Sequence, residues 1–174
     1  MLLSFLIIGV GLLLCLRVSG VTIEQIFANA SIKNYDHDPG STAAVVVSGD
    51  GGTTKNYLAL APYTNFVLDV MTSVSTSSSG PSTVSIVAAT DSSGTNKTII
   101  VTTTPSTAST HVGDNIVLEC TAQQVNEVGK AAGYNFTHVA GRLTCNNSGD
   151  EAAVCYIRAK PKYPQSALTA TTIA

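Results

Sequence analysis

The chain has no tryptophan, and only 11% of its 174 residues are charged. Nine Lys and Arg residues, spread singly against eleven Asp and Glu, provide no basic cluster of the kind that neutralises phosphates, which argues against nucleic-acid binding. Cysteine is scarce as well. The four cysteines, Cys15, Cys120, Cys145 and Cys155, include no pair two to four residues apart, so zinc-site spacing is absent. After the first twenty residues no long apolar run occurs, and the last nine, Ser166 to Ala174, are too short and polar for a lipid-anchor signal. A positive mean hydropathy weighs against a charge-rich unfolded chain.

The N-terminus is the one strongly apolar stretch. Met1 to Leu16 is interrupted only by Ser4 and two glycines, and Arg17-Val18-Ser19-Gly20 follows. The run is shorter than the roughly twenty residues that cross a bilayer comfortably. Val18 and Gly20 are small enough for the pockets of a signal peptidase, so residues 1–20 read as a secretory signal with a mature start at Val21. Leu14 before Cys15 argues against a lipoprotein signal. A retained anchor, or a filament subunit that keeps its apolar helix, is the alternative reading. With the signal removed, the expectation is a secreted chain with no stable membrane anchor.

Four Asn-x-Ser/Thr triplets begin at Asn29, Asn96, Asn135 and Asn146, none with proline in the middle. Together with a signal they predict an N-glycosylated extracellular protein. Cys15 leaves with the signal, and in an oxidising compartment the remaining three cysteines predict one disulfide and one odd thiol. Cys145 and Cys155 flank the turn residues Asn146-Asn147-Ser148-Gly149-Asp150 and form the favoured pair, with Cys120–Cys155 as the alternative. The odd cysteine is either buried as a small hydrophobe or links a dimer.

The body of the chain reads as short strands separated by Gly, Pro, Asn, Asp and Ser clusters, one turn signal every ten residues or so. Ala43–Val47 and Asn56–Leu60 flank Ser48-Gly49-Asp50-Gly51-Gly52 as a hairpin. Further strands are predicted at Phe66–Met71, Thr83–Ala88, Thr98–Thr103, Asn115–Thr121, Tyr134–Leu143 and Ala153–Arg158. Alternation puts Ile116, Leu118 and Cys120 on one face with Val117 and Glu119 on the other, and sets Cys155 and Ile157 opposite Val154, Tyr156 and Arg158. Residues 72–110 are rich in Ser and Thr, yet apolar residues interrupt them, so they read as strands with polar outer faces rather than as a stalk. A short helix is expected over Val21–Ile32 and another over Gln123–Ala132, stopped by Gly133. The predicted fold is mainly β: an antiparallel sandwich, immunoglobulin-like in general architecture, or a barrel, of seven or eight strands. Residues 21–165 would form one domain and 166–174 a flexible tail. With so few aromatics, Val, Ile, Leu and Ala are expected to fill the core.

Gly113 to Cys120 resembles the B strand of an immunoglobulin-type domain, and Asp150 to Tyr156 resembles its F strand. The core tryptophan that family places between its two cysteines is missing, and Tyr156 follows Cys155 instead of preceding it by two. Val139-Ala140-Gly141 with the final hairpin is distantly similar to cystatin-type inhibitors, whose tryptophan-bearing loop is also missing. Neither resemblance assigns a site residue.

Candidate chemistry is sparse. Asp36-His37-Asp38 would need help from His111 or Asp114 to hold a cation, because neighbours on an extended chain point to opposite faces; beside Pro39-Gly40 it reads as a solvated loop. Gly49 to Lys55 lacks the Gly-Lys step and the following helix of a phosphate loop. His37, His111 and His138 are scattered, no G-x-S-x-G occurs, and no cofactor or metal is implied. Tyr57, Tyr63, Tyr134, Tyr156 and Tyr163 could line a contact surface or the core. The reading is therefore a non-catalytic binding protein with an extracellular protein or glycan as partner. The alternatives are a carrier holding a small hydrophobic ligand in a barrel cavity, or a structural filament subunit.

Overall fold

The computed structural model describes residues 30–37, 45–49, 54–74, 81–105, 113 and 115–161. The predicted signal, Asn29, Asp38, His111, Asp114, Tyr163 and the C-terminal tail lie outside the described residues. The architecture follows from period-two patterning in the longest strand, β6 (Tyr63–Val74). Its even-numbered Phe66, Leu68, Val70 and Thr72 are buried, and Val67, Asp69 and Met71 face the other way, as a pleated strand requires.

β6 lies inside a four-stranded antiparallel sheet of order β1 (Ala30–His37), β11 (Glu151–Pro161), β6, β9 (Asn115–Thr121). The second sheet runs β2 (Val45–Val46), β10 (His138–Cys145), β7 (Pro81–Ala89), β8 (Thr98–Thr103). β5 (Leu58–Ala59) also pairs with β10, and β3 (Ser48–Gly49) pairs with β4 (Thr54–Lys55). The two sheets form a sandwich and do not close into a barrel. The core lies between Phe66, Leu68, Val154 and Tyr156 on one side and Val84, Ile86, Val139 and Leu143 on the other. Scarce as aromatics are, Tyr156 and Phe66 are the largest fully buried side chains.

A single helix, α1 (Ala122–Ala132), is present among the described residues and packs against β6, β9 and β8. Thr121 and Gln124 form a capping box: the Gln124 N–H donates to Thr121 Oγ1 at 3.2 Å, and the Thr121 N–H to Gln124 Oε1 at 2.8 Å. Gly133 ends it with φ 77°, a left-handed conformation that glycine adopts without penalty. Val125 is fully buried beneath.

Several sequence expectations need correction. Residues 30–32 of the segment read as a short helix belong to β1, and 21–29 lie outside the described residues. Asp36 and His37, read as loop, continue β1 opposite Ala153 and Ala152, because β11 offers a ladder that far. Tyr134–Thr137 precede the strand that starts at His138. The expected hairpin arms do not pair with each other over their length. Val45–Val46 pairs with Leu143–Arg142 and Leu58–Ala59 with Val139–His138, so both halves run in the same direction along β10. They are one edge strand interrupted by the β3–β4 excursion, which reaches toward β1.

Candidate functional site

The two sheets differ sharply on their outer faces. On the second sheet, Ser85, Val87, Ala89 and Ala140 are buried even though they alternate with core residues. Tyr57 belongs to the same buried cluster as Val87, Ala89 and Ala140. There it is only 5% exposed, with the turn after β7 folded so tightly over it that a Cβ on Gly94 would lie 2.5 Å from Tyr57 Cε2.

The outer face of the first sheet has no buried residue among Ile32, Val67, Asp69, Met71, Val117, Cys155 and Ile157. Register assembles it in rows. Ile32, Ile157, Val67 and Glu119 lie side by side, as do Asn34, Cys155, Asp69 and Val117. Met71 is 41% and Val117 60% exposed. Isolated exposed apolar residues are ordinary, but a contiguous patch rimmed by polar groups is a usual mark of interaction surfaces. Asn34, Asn115 and Glu119 provide that rim, and a shallow depression of about 180 Å³ between Asn34, Asp69, Met71, Asn115, Ala153 and Cys155 gives the face relief.

Two groups set its electrostatics. Asp69 Oδ1 is buried with no hydrogen-bond partner. Beside it, partial burial and the Asp69 charge push the Cys155 thiol up from its ordinary value, so the sulfur is a neutral thiol and a weak nucleophile.

Arg158, on the inward side of β11 opposite Phe66, ties the two sheets together at one end of the core. It donates to Ala59 O at 2.7 Å in the second sheet and to Ser31 Oγ at 2.8 Å in the first. Its guanidinium lies 4.8 Å over the Tyr63 ring. In the core, the Tyr156 hydroxyl accepts from the Gly141 N–H at 2.7 Å, linking β11 to β10 across the two layers.

The cysteines are separated by the fold. Cys120 and Cys155 are free thiols, so neither expected disulfide is present. Cys120 lies opposite Phe66 and faces the core, whereas Cys155 lies opposite Asp69 and faces outward on the same sheet. Cys145 is buried at the end of β10 opposite Pro81. Cys155 points away from the core on a strand of the first sheet, whereas Cys145 ends a strand of the second. The immunoglobulin correspondence fails at the same point. In that family the B and F strands belong to opposite sheets, whereas β9 and β11 both flank β6.

Of the triplets, Asn96 is exposed in the turn between β7 and β8 with φ 50°. Asn135 is exposed between α1 and β10, and Asn146 is half-buried in the turn between β10 and β11. None of these three lies on the outer face of the first sheet. The His138 Nδ1 is 2.8 Å from Thr137 Oγ1; of His37 only the backbone is described, and His111 lies outside the described residues. Among the described residues no group of three or more His, Cys, Asp or Glu side chains could hold a metal ion. Among the described residues, Tyr57, Tyr63 and Tyr156 are buried and Tyr134 is exposed.

Sequence reasoning found the alternation of β9 and β11 but not the joint surface, because Val117, Met71 and Cys155 become neighbours only through register. No protein-family model matches the chain, and no curated protein matches it.

Proposed function

We propose that this is a secreted, N-glycosylated β-sandwich that acts without catalysis, binding an extracellular protein through the outer face of the first sheet. The observation that carries the reading is the contrast between the two outer faces, one covered and the other apolar, unburied and free of Asn-x-Ser/Thr triplets among the described residues. Glycans at Asn96, Asn135 and Asn146 would shield the ends of the sandwich and leave that face accessible. An apolar centre with a polar rim suits a protein surface better than a sugar. The carrier alternative has no closed barrel to rest on.

The test places a photo-crosslinking amino acid at Val117 in protein made by a secreting host, with exposed Ser93 as the control position. A discrete adduct formed from Val117 and lost with Met71→Lys supports the reading. Equal crosslinking from Ser93, or none from Val117 against the extracellular proteins of the native source, refutes it. Intact mass before and after glycan removal tests the compartment: an unprocessed chain with bare asparagines removes that half of the reading.

A further inference from the structure

We propose that the concavity at the C-terminal end of α1 is a cradle for the first sugar, an N-acetylhexosamine, of a glycan carried by Asn135. The inference rests on the secretory reading above and adds a specific intramolecular site to it. The depression is about 370 Å³ and is lined by Asn126, Lys130, Gly133, Tyr134 and Asn135, so the acceptor asparagine is part of its own wall. That volume lies within the range of small-ligand sites, which combine an apolar surface with a few convergent polar groups.

Each lining residue has a role matched to a pyranose. The Tyr134 ring, 46% exposed, offers a flat face to the C–H face of the sugar. Its other side stacks on Phe136, with centroids 6.1 Å apart and planes at 27°. Phe136 is 3% exposed and anchored in the core, so the platform is held in place before any sugar arrives. Preorganisation of this kind lowers the entropic cost of a contact. The backbone beneath is fixed too: the Gly133 N–H donates to Lys130 O at 3.2 Å and the Tyr134 N–H to Gly129 O at 2.8 Å.

Asn126 and Lys130, one helical turn apart on the same face of α1, present an amide and an ammonium toward the hydroxyls and the acetamido oxygen. At Gly133 a Cβ would meet nothing within 4 Å, so the wall is open on the side where the rest of the glycan must leave. Asn96 has no such setting in its chain neighbours: it lies between Thr95 and Lys97, whereas Asn135 lies between Tyr134 and Phe136.

The experiment uses the full secreted chain from a glycosylating host, trimmed by an endoglycosidase to one N-acetylglucosamine per occupied asparagine. Melting temperatures are compared for the native chain, Asn135→Gln, Tyr134→Ala and the double variant. Asn135→Gln is expected to lower Tm by about 2–4 °C when Tyr134 is present and by less than about 1 °C in the Tyr134→Ala background. Equal shifts in both backgrounds, with peptide mass showing Asn135 occupied, overturn the cradle and leave glycosylation standing. A secreted chain carrying sugar elsewhere but none on Asn135 overturns the cradle too, and a chain bare at every triplet overturns both readings. Should a variant fail to fold, release rates on the native protein decide. An amidase should free the Asn135 glycan at least severalfold more slowly than the Asn96 glycan, and equal rates overturn the proposal.

Discussion

Replacing Tyr156 by Phe isolates a polar link between the two layers that is separate from the Arg158–Ala59 bond. The ring would keep its edge-on contacts with Tyr35 at 4.9 Å and Phe66 at 5.2 Å, so packing changes little. What is lost is the acceptor for the Gly141 N–H, 2.7 Å away in a fully buried position. Gly141 lies where the edge strand breaks: Val47 still donates to its carbonyl at 2.9 Å, and the chain then leaves β10 for the β3–β4 excursion. A buried N–H left without a partner costs about 1–3 kcal/mol. For a domain of this size each kcal/mol moves Tm by roughly 2–4 °C, so Tyr156→Phe should melt about 2–12 °C below the native protein. Tyr35→Phe, at a half-buried ring, is the control and should shift Tm by less than about 2 °C. The assay is thermal unfolding followed by circular dichroism, with amide exchange at Gly141 as a local readout. Equal melting of the two variants, or unchanged protection at Gly141, would refute the reasoning. An alkaline arm strengthens the test. Burial holds the Tyr156 hydroxyl protonated well above its ordinary value of 10.0, whereas the unfolded chain releases that proton near 10. Stability should therefore fall as pH rises past 10, by up to about 1.4 kcal/mol per pH unit for this group, and Tyr156→Phe should remove that component.

Further predictions follow the same logic. Burial, reinforced by the Glu119 charge, pushes the Cys120 thiol from 9.0 up to about 12. The folded chain keeps that proton where the unfolded chain loses it, so stability is lost as pH climbs from 9 toward 12. Urea unfolding across that window should show a shallower fall for Cys120→Ala than for the native chain. Gly141→Ala would set a Cβ 2.7 Å from Leu68 Cδ1 and 3.1 Å from Tyr156 Cε1. Overpacking of that kind should cost about 1–3 kcal/mol, read as a lower urea midpoint with unchanged slope. Thr121→Ala removes the N-cap of α1 and should cost about 0.5–2 kcal/mol, while Thr121→Ser should retain most of the stability. Iodoacetamide should label Cys155 in the folded protein more slowly than a model thiol and should reach Cys120 only on unfolding, both followed by mass; rapid labelling of Cys120 would contradict its place in the core.

Much of the local structure was legible because it depends on neighbours in sequence. β8 at Thr98–Thr103 and β9 at Asn115–Thr121 have the bounds their composition suggests, and α1 starts one residue before the expected helix and stops at Gly133. The Thr121–Gln124 capping box that fixes its start was not read from the sequence, although the spacing is a known cap signature. The segment from Val45 to Ala59 was read less well. Its glycines do mark a reversal, at β3–β4, but turn residues state only that the chain bends. They do not say that the flanking pieces gain more by joining β10 than by pairing with each other. The cysteines illustrate the same limit: spacing around a turn suggested Cys145–Cys155, and a sheet change at that turn separates them.

The amino-acid sequence by itself determined where the chain alternates, where it turns and where it coils, since sterics, capping and proline or glycine chemistry act over a few residues. Only the tertiary structure decided which alternating face became core and which became surface. Val87 and Ala140 on one sheet and Val67 and Val117 on the other are equally apolar, yet the first pair is buried and the second is not. That difference arises from register and from which segments pack against each sheet, and these are contacts between segments that no local pattern encodes.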